Sequence, residues 1–135
     1  MKKLFSTRYN AGAFNTALLV LRLGFGILMA HHGYLKFSNY HQTEGFMMNF
    51  MGIGKSASTA LVIFAELFCS ILIILGLFTR LACIPLIIVC FVIVFKATGA
   101  DYFGKSEIGV LYLTTFVALL FTGAGKISVD HMISK

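Results

Sequence analysis

The chain has 135 residues, of which 59% are hydrophobic and only 12% are charged. An ordinary soluble domain carries about 25% charged and about 45–50% apolar residues. A soluble chain of this size could not cover so much apolar surface, because a small domain buries only part of its surface on folding. The composition therefore excludes an ordinary soluble domain and predicts an all-α integral membrane protein, with the lipid bilayer as its first partner.

The formal net charge of +6 raises the question of a nucleic-acid partner. Nucleic-acid binding needs a basic face on a soluble fold. Here the lysines and arginines are dispersed between apolar runs. This distribution argues against nucleic acid and is typical of the basic flanks of membrane spans.

Four apolar segments are long enough to be candidate spans, since a helix needs about 20 apolar residues to cross a bilayer. In chain order they cover approximately residues 16–36, 57–78, 81–97 and 107–123. We therefore expect one membrane domain, residues 1–135, folded as a four-transmembrane-helix bundle.

An even number of spans places both termini on the same side of the membrane. If that side is the cytoplasm, the inner basic residues are Lys2, Lys3, Arg8, Arg80, Lys126 and Lys135. The outer basic residues are then Lys36, Lys55, Lys96 and Lys105. The excess inside agrees with the positive-inside rule and predicts cytoplasmic termini.

Two charged residues, Arg22 and Glu66, fall well inside predicted spans. A charge in a span is costly, usually faces the bundle interior, and marks either function or a structural pair. Helical periodicity places Arg22 on one stripe of the first span with Gly26, Met29, Gly33 and Lys36. We expect Arg22 and Glu66 to be neighbours, and both a structural pair and a polar ligand site are consistent with that expectation.

His32 and Lys36 are four residues apart and share a helix face. Together they could bind an anionic or carbonyl-bearing ligand, although the lysine could also extend to lipid phosphates. Arg80, at the end of a span, is a further candidate ligand-binding residue. His31 points away from this face, and no metal-ligand spacing is present.

The remaining polar features suggest packing. Cys69, Cys83 and Cys90 all lie in apolar runs and are interpreted as buried small residues. On the fourth span the predicted inward stripe consists of Glu107, Leu111, Thr114, Ala118 and Thr122.

The motifs along the chain resemble those of the DoxX family. They are Arg22-Leu23-Gly24-Phe25-Gly26, then His32-Gly33-Tyr34-Leu35-Lys36-Phe37, then Glu66 followed by Leu75-Gly76-Leu77-Phe78-Thr79-Arg80-Leu81-Ala82, then Leu111-Tyr112, and finally Thr122-Gly123-Ala124-Gly125-Lys126-Ile127-Ser128-Val129-Asp130. The resemblance extends from about Ala17 to Asp130.

This resemblance implies a small four-helix protein of the bacterial inner (cytoplasmic) membrane. The family takes its name from a terminal quinol oxidase, or thiosulfate:quinone oxidoreductase, whose small subunit is related. The family has no established set of catalytic residues that could be assigned to this chain. The candidate residues are therefore the polar positions that match its motifs: Arg22, His32, Lys36, Glu66, Arg80 and Asp130.

Three functions are consistent with these features. The first is a subunit or accessory of a quinone-linked membrane oxidoreductase. Because the sequence has no haem, iron–sulfur or Rossmann pattern, no cofactor is evident, a quinone is possible, and the electron carrier would belong to a partner subunit. The second is a non-enzymatic membrane scaffold or assembly component, and the third is a carrier of a small solute or lipid that acts as a homo-oligomer. The sequence leaves open whether the chain is itself an enzyme.

Overall fold

The structure is a computed structural model that describes residue 2 and residues 4–47, 49–97, 99, 101 and 103–134. Lys3 and Lys135, which belong to the predicted inner basic set, lie outside the described residues. Within the described ranges the regular structure is helical, and no strand occurs there.

Four long helices form the body of the protein. Helix α1 spans Ala11–Ser38 and is followed by the short helix α2, Tyr40–Phe46. Helix α3 runs over Lys55–Leu75, with a π-helical turn at Phe64–Cys69. The remaining helices are α4, Thr79–Val92, which continues into a π-helical turn at Ile93–Ala97, then α5, Glu107–Thr122, and the short α6, Val129–Ile133.

Three of these helices are long and apolar enough to cross a membrane: Ala11–Ser38, Lys55–Leu75 and Thr79–Lys96. Helix α5 is also apolar but has only 16 residues. Large apolar side chains cover the outside of the bundle, among them Phe64, Phe68, Leu81 and Phe121, which are 49–77% exposed. Lipid is the solvent that accepts such a surface, so the chain is a membrane protein.

Successive long helices run antiparallel. Gly33, late in α1, packs on Glu66 in the middle of α3. Arg22, earlier in α1, donates a hydrogen bond to the carbonyl of Ile73 near the end of α3. Ser106, just before α5, donates to the carbonyl of Val94, and Arg80 at the start of α4 reaches the carbonyl of Phe121. The bundle therefore has a Lys36 end and an Arg80 end, named after the residues found there.

The first helix packs through the predicted stripe, because Arg22, Gly26, Met29 and Gly33 are all buried. A Cβ atom on Gly33 would lie 2.6 Å from the backbone nitrogen of Leu67. Small residues at such positions let two helix backbones approach closely. The core that results is formed by Leu18, Met29, Ala65, Cys69, Ile73, Ala82, Cys83, Leu86, Cys90, Tyr112, Phe116 and Leu119.

The predicted inward face of the fourth helix was wrong. Leu111, Thr114 and Ala118 are exposed, whereas Tyr112, Thr115, Phe116 and Leu119 are buried. The Thr114 hydroxyl donates to the carbonyl of Val110 at 2.8 Å, one turn back on its own helix. A threonine bonded in this way can face lipid, so its polarity does not indicate the bundle interior.

Candidate ligand-binding site

A buried ion pair joins α1 to α3 at the Lys36 end. Nζ of Lys36 lies 2.6 Å from Oε1 of Glu66. The Glu66 side chain is 2% exposed and the Lys36 side chain is 29% exposed. The carboxylate therefore lies inside the protein, while the lysine connects it to the end of the bundle.

The predicted pairing of Arg22 with Glu66 was wrong. Arg22 lies 14 residues before Lys36 on the same helix, and at about 1.5 Å per residue this separates them by about 21 Å along the axis. Because Lys36 contacts Glu66, Arg22 is too far away to reach it. The antiparallel register of α1 and α3 determines which cation meets the carboxylate.

The backbone of α3 widens where it carries Glu66. The six residues Phe64–Cys69 form a π-helical turn within an otherwise α-helical segment. Such turns are rare, and they occur frequently at functional sites. The turn packs directly against Gly33, whose missing side chain leaves room for the Glu66 backbone.

A cavity of about 160 Å³ opens beside the ion pair. It lies between α1, α3, α4 and α5, and part of its wall comes from the loop before α5. Its lining residues are Met29, His32, Lys36, Glu66, Cys90, Ile93, Lys105, Ile108, Gly109 and Tyr112.

One oxygen of the carboxylate remains without a protein partner. Oε2 of Glu66 is buried and has no hydrogen-bond partner among the described residues. A buried polar atom of this kind carries a desolvation cost unless something satisfies it. Because Glu66 lines the cavity, a ligand there that carries a hydroxyl or N–H group would donate a hydrogen bond to Oε2 and remove this cost.

Aromatic rings form one wall of the cavity. The ring of Tyr112 is edge-on to His32 with centroids 6.0 Å apart, and edge-on to Phe25 at 5.6 Å. On its own helix it stacks with Phe116. Edge-to-face packing holds Tyr112 in position, so the wall it forms is preorganised.

Arg22 occupies a different site, towards the Arg80 end. Its guanidinium group is 1% exposed and donates to four backbone carbonyls, those of Ile73, Ile74, Ala124 and Ile127. Carbonyls at the end of a helix lack a partner within that helix. Arg22 therefore joins the end of α3 to the chain after α5, and its donors are directed at protein.

The glycine at the end of α3 makes this arrangement possible. Gly76 has a φ of +73°, and a Cβ atom there would lie 2.6 Å from Nη2 of Arg22. The left-handed conformation and the nearby guanidinium both favour glycine at this position.

Asp130 and Arg80 also lie at this end and away from the cavity. The Asp130 carboxylate accepts from the backbone N–H groups of Phe78 at 2.7 Å and Thr79 at 3.0 Å. It thereby caps the start of α4 from a distant part of the chain. Arg80 donates to the carbonyl of Phe121 at 3.3 Å, close to the end of α5.

The structure thus divides the sequence candidates into two groups. His32, Lys36 and Glu66 surround one cavity, whereas Arg22, Arg80 and Asp130 bind backbone groups at the other end. His31 is exposed, and the three cysteines are free and buried.

Sequence reasoning missed Tyr112, Cys90 and Lys105 as cavity residues. Tyr112 carries a signal that could have revealed it, because it is the single tyrosine of the apolar helix α5 and has a polar tip. Lys105 belongs to a loop, and no helical periodicity could have placed it.

A buried carboxylate, a lysine and apolar and aromatic walls suit a flat ligand with a few polar atoms. Lys36 can donate a hydrogen bond, and Oε2 of Glu66 can accept one. The arrangement can therefore hold a ligand with oxygen atoms and can exchange protons with it.

Comparisons with known proteins point to one family. The family model described as DoxX matches residues 17–99, which include most of α1 and all of α3 and α4. A relative from Bacillus subtilis (strain 168), named "Putative oxidoreductase CatD", is 32% identical over 126 residues, covering 91% of this chain and 91% of the relative. No solved structure matches the chain.

Proposed function

Because the chain belongs to the DoxX family, we propose that it is the quinone-binding membrane subunit of an oxidoreductase, with the cavity around Glu66 as its site. The observation that carries the proposal is Glu66 itself. It is 2% exposed, its Oε1 is paired with Lys36, and its Oε2 has no partner among the described residues.

The membrane arrangement in this proposal has four spans and cytoplasmic termini in a bacterial inner membrane. Helix α5, with 16 residues, extends about 24 Å at about 1.5 Å per residue. Residues beyond both helix ends would cover the rest of a hydrocarbon core about 30 Å thick. Basic residues support the orientation, since Arg8, Arg80 and Lys126 would face the cytoplasm and the Lys36 end would face outward.

The cavity suits the head group of a quinone. Carbonyl oxygens on a flat ring need hydrogen-bond donors, and Lys36 provides one. In the reduced form these oxygens are hydroxyls, and Oε2 of Glu66 can accept from one of them. Met29, Ile93 and Tyr112 supply apolar walls for the ring.

The electrons must come from elsewhere. A quinone bound here would supply the two-electron chemistry, because its reduction consumes two electrons and two protons and yields the quinol. A redox partner protein would deliver the electrons. In this chain, Glu66 and Lys36 orient the ring and hold a proton beside one of its oxygens.

The relative's printed name supports an oxidoreductase as the wider assembly. Arg22 adds nothing to this function, because its donors are directed at backbone carbonyls of the bundle.

Mass spectrometry of small molecules extracted from the purified protein tests the proposal. Wild type should retain a quinone, and Glu66→Gln should lose most of it, although the variant should insert normally because the span stays apolar. Glu107→Gln is the matched control, since Glu107 is an exposed acid at the start of α5 that does not line the cavity.

Two outcomes would contradict the proposal. If wild type and Glu66→Gln carry only bulk lipid, a scaffold role becomes the better interpretation and partner identification the next step. If both retain the same quinone, the molecule binds outside the Glu66 cavity.

A further inference from the structure

We infer that the cavity opens sideways into the bilayer, between α1 and α5, and that its ligand is a quinone whose apolar tail extends through this opening into the leaflet at the Lys36 end. This inference rests on the proposed function and adds to it the ligand class and the route of entry. Three features support it: close packing on the other sides of the cavity, an apolar rim at the opening, and polar groups within reach of it.

The other helix interfaces around the cavity are closed. Between α1 and α3, a Cβ atom on Gly33 would lie 2.6 Å from the backbone nitrogen of Leu67. Between α4 and α5, a Cβ atom on Gly109 would lie 2.9 Å from a methyl carbon of Val94. The π-helical turn of α3 packs directly along α4. These helices are in contact at the level of the cavity, so a hydrocarbon chain has no gap between them.

The remaining interface, between α1 and α5, is closed at Tyr112 and open beyond it. The Tyr112 ring lies edge-on to Phe25 and His32 of α1, with centroids 5.6 and 6.0 Å apart. Ile108 lies one turn closer to the Lys36 end, on the same face of α5. It lines the cavity and is 62% exposed. The cavity therefore reaches the outer surface of the bundle at Ile108.

The rim of this opening is apolar, as is most of the cavity lining that a ligand can reach. On α5, Leu111 lies beside Ile108 and is 53% exposed. On α1, helical periodicity places Leu28 and Leu35 beside His32, and both leucines are exposed. A contiguous apolar surface on a membrane protein is a surface for acyl chains, so the opening faces lipid.

Polar groups lie where the head of an amphiphilic ligand would sit. Oε2 of Glu66 is buried in the cavity wall and has no hydrogen-bond partner among the described residues, and Lys36 is within reach of the same ligand. Ile108 follows the first residue of α5, so the opening lies near the membrane surface. A quinone ring at Glu66 would therefore direct its tail past Ile108 into the adjacent leaflet.

A tryptophan reporter tests the direction of the opening, because the chain has no tryptophan of its own. In the full-length protein in lipid vesicles, the fluorescence of Ile108→Trp should be quenched by brominated acyl chains and not by iodide in the medium. Phe64→Trp, at a 49% exposed position of α3, is the lipid-facing reference. Gln42→Trp, at an exposed polar position of α2, is the aqueous reference. Quenching of Ile108→Trp by iodide alone would overturn the lateral opening.

Photolabelling of the wild-type protein tests the ligand and does not depend on the folding of a variant. The probe is a benzoquinol with a decyl tail that carries a diazirine midway, used in its reduced form under anaerobic conditions. We expect label on Ile108, Leu111 and Leu28, and an excess of unlabelled decylbenzoquinol should remove most of it. Glu66→Gln should lose this competable label, whereas the matched control Glu107→Gln should keep it.

The outcomes separate the inference from the function on which it rests. Competable label on core residues such as Phe116 or Leu119 would mean that the tail points inward, which would overturn the route between α1 and α5 and leave the quinone function standing. If excess decylbenzoquinol removes no label anywhere, the quinone function itself fails, and the ligand class fails with it.

Discussion

Oε1 of Glu66 accepts a hydrogen bond from Nζ of Lys36 at 2.6 Å, across the interface of α1 and α3. The two partners differ in their surroundings, because the lysine is 29% exposed and the glutamate 2%. Loss of one partner therefore has a different consequence from loss of the other.

Lys36→Leu should destabilise the protein more than Glu66→Leu. The first change leaves a buried carboxylate without a counter-ion, which we expect to lower the free energy of unfolding by about 3 kcal/mol. The second leaves a lysine that can turn towards water, and we expect a cost of about 1 kcal/mol or less. Reversible unfolding in mixed detergent micelles measures both.

The double variant Lys36→Leu/Glu66→Leu should regain most of the loss caused by Lys36→Leu, because replacing a whole buried pair is often neutral. Lys96→Leu, at an exposed lysine in the π-helical turn that follows α4, is the control. Strictly additive effects in the double variant would contradict a coupled pair.

Arg22 should be essential for folding and independent of Glu66. Arg22→Leu removes donors from four backbone carbonyls, and we expect a loss of about 3 kcal/mol or more. Arg22→Lys should recover little of it, because an ammonium group cannot reproduce the planar set of guanidinium donors. Folded yield and thermal unfolding in detergent provide the measurement.

The effects of Arg22→Leu and Glu66→Leu should add, since the two side chains share no contact. Recovery of the Arg22→Leu variant by Glu66→Leu would mean that the two residues are coupled after all.

Gly33→Ala should disturb the contact between α1 and α3. The new methyl group would lie 2.6–2.7 Å from backbone atoms of Leu67 and Glu66, and overpacking of this kind costs about 1–3 kcal/mol. Gly24→Ala is the matched control on the same helix, because nothing lies within 4 Å of its added Cβ. It should leave stability unchanged or raise it by about 1 kcal/mol, since alanine favours helix.

Thermal unfolding of both glycine variants under identical conditions measures the difference. If the two alanines had the same effect, close backbone approach at Gly33 would not be what holds these helices together.

Asp130→Ala should destabilise the start of α4, although the two are about 50 residues apart in the chain. The carboxylate accepts from Phe78 and Thr79, and loss of such a cap costs about 1–2 kcal/mol. Asp130→Asn should recover part of this, because its amide oxygen can still accept one hydrogen bond while the favourable charge at the helix N-terminus is lost.

Hydrogen exchange of the amides at the start of α4 locates the effect. Faster exchange throughout the bundle, without a local change at Phe78 and Thr79, would argue against capping by Asp130.

The face that a helix turns towards the bundle was predictable only where small residues and a charge lie on the same stripe. The stripe of Arg22, Gly26, Met29 and Gly33 is buried as expected, because small residues and a charge both favour the interior over lipid. The stripe through Thr114 was wrong, because a threonine hydroxyl bonded to Val110 tolerates lipid. A polar side chain in a span indicates the bundle interior only when it cannot form its hydrogen bonds with its own helix.

The sequence by itself determined that this protein is helical and lies in a membrane, and it identified the charges that need partners. Composition and apolar length carry that information because the bilayer demands it of every span. Only the tertiary structure decided which partners those charges find. The antiparallel register brings Lys36 to Glu66 and directs Arg22 to the carbonyls at the end of α3, and Tyr112 and Lys105 complete the cavity from distant parts of the chain. Contacts between helices depend on the register of one helix against another, which no local pattern of residues encodes.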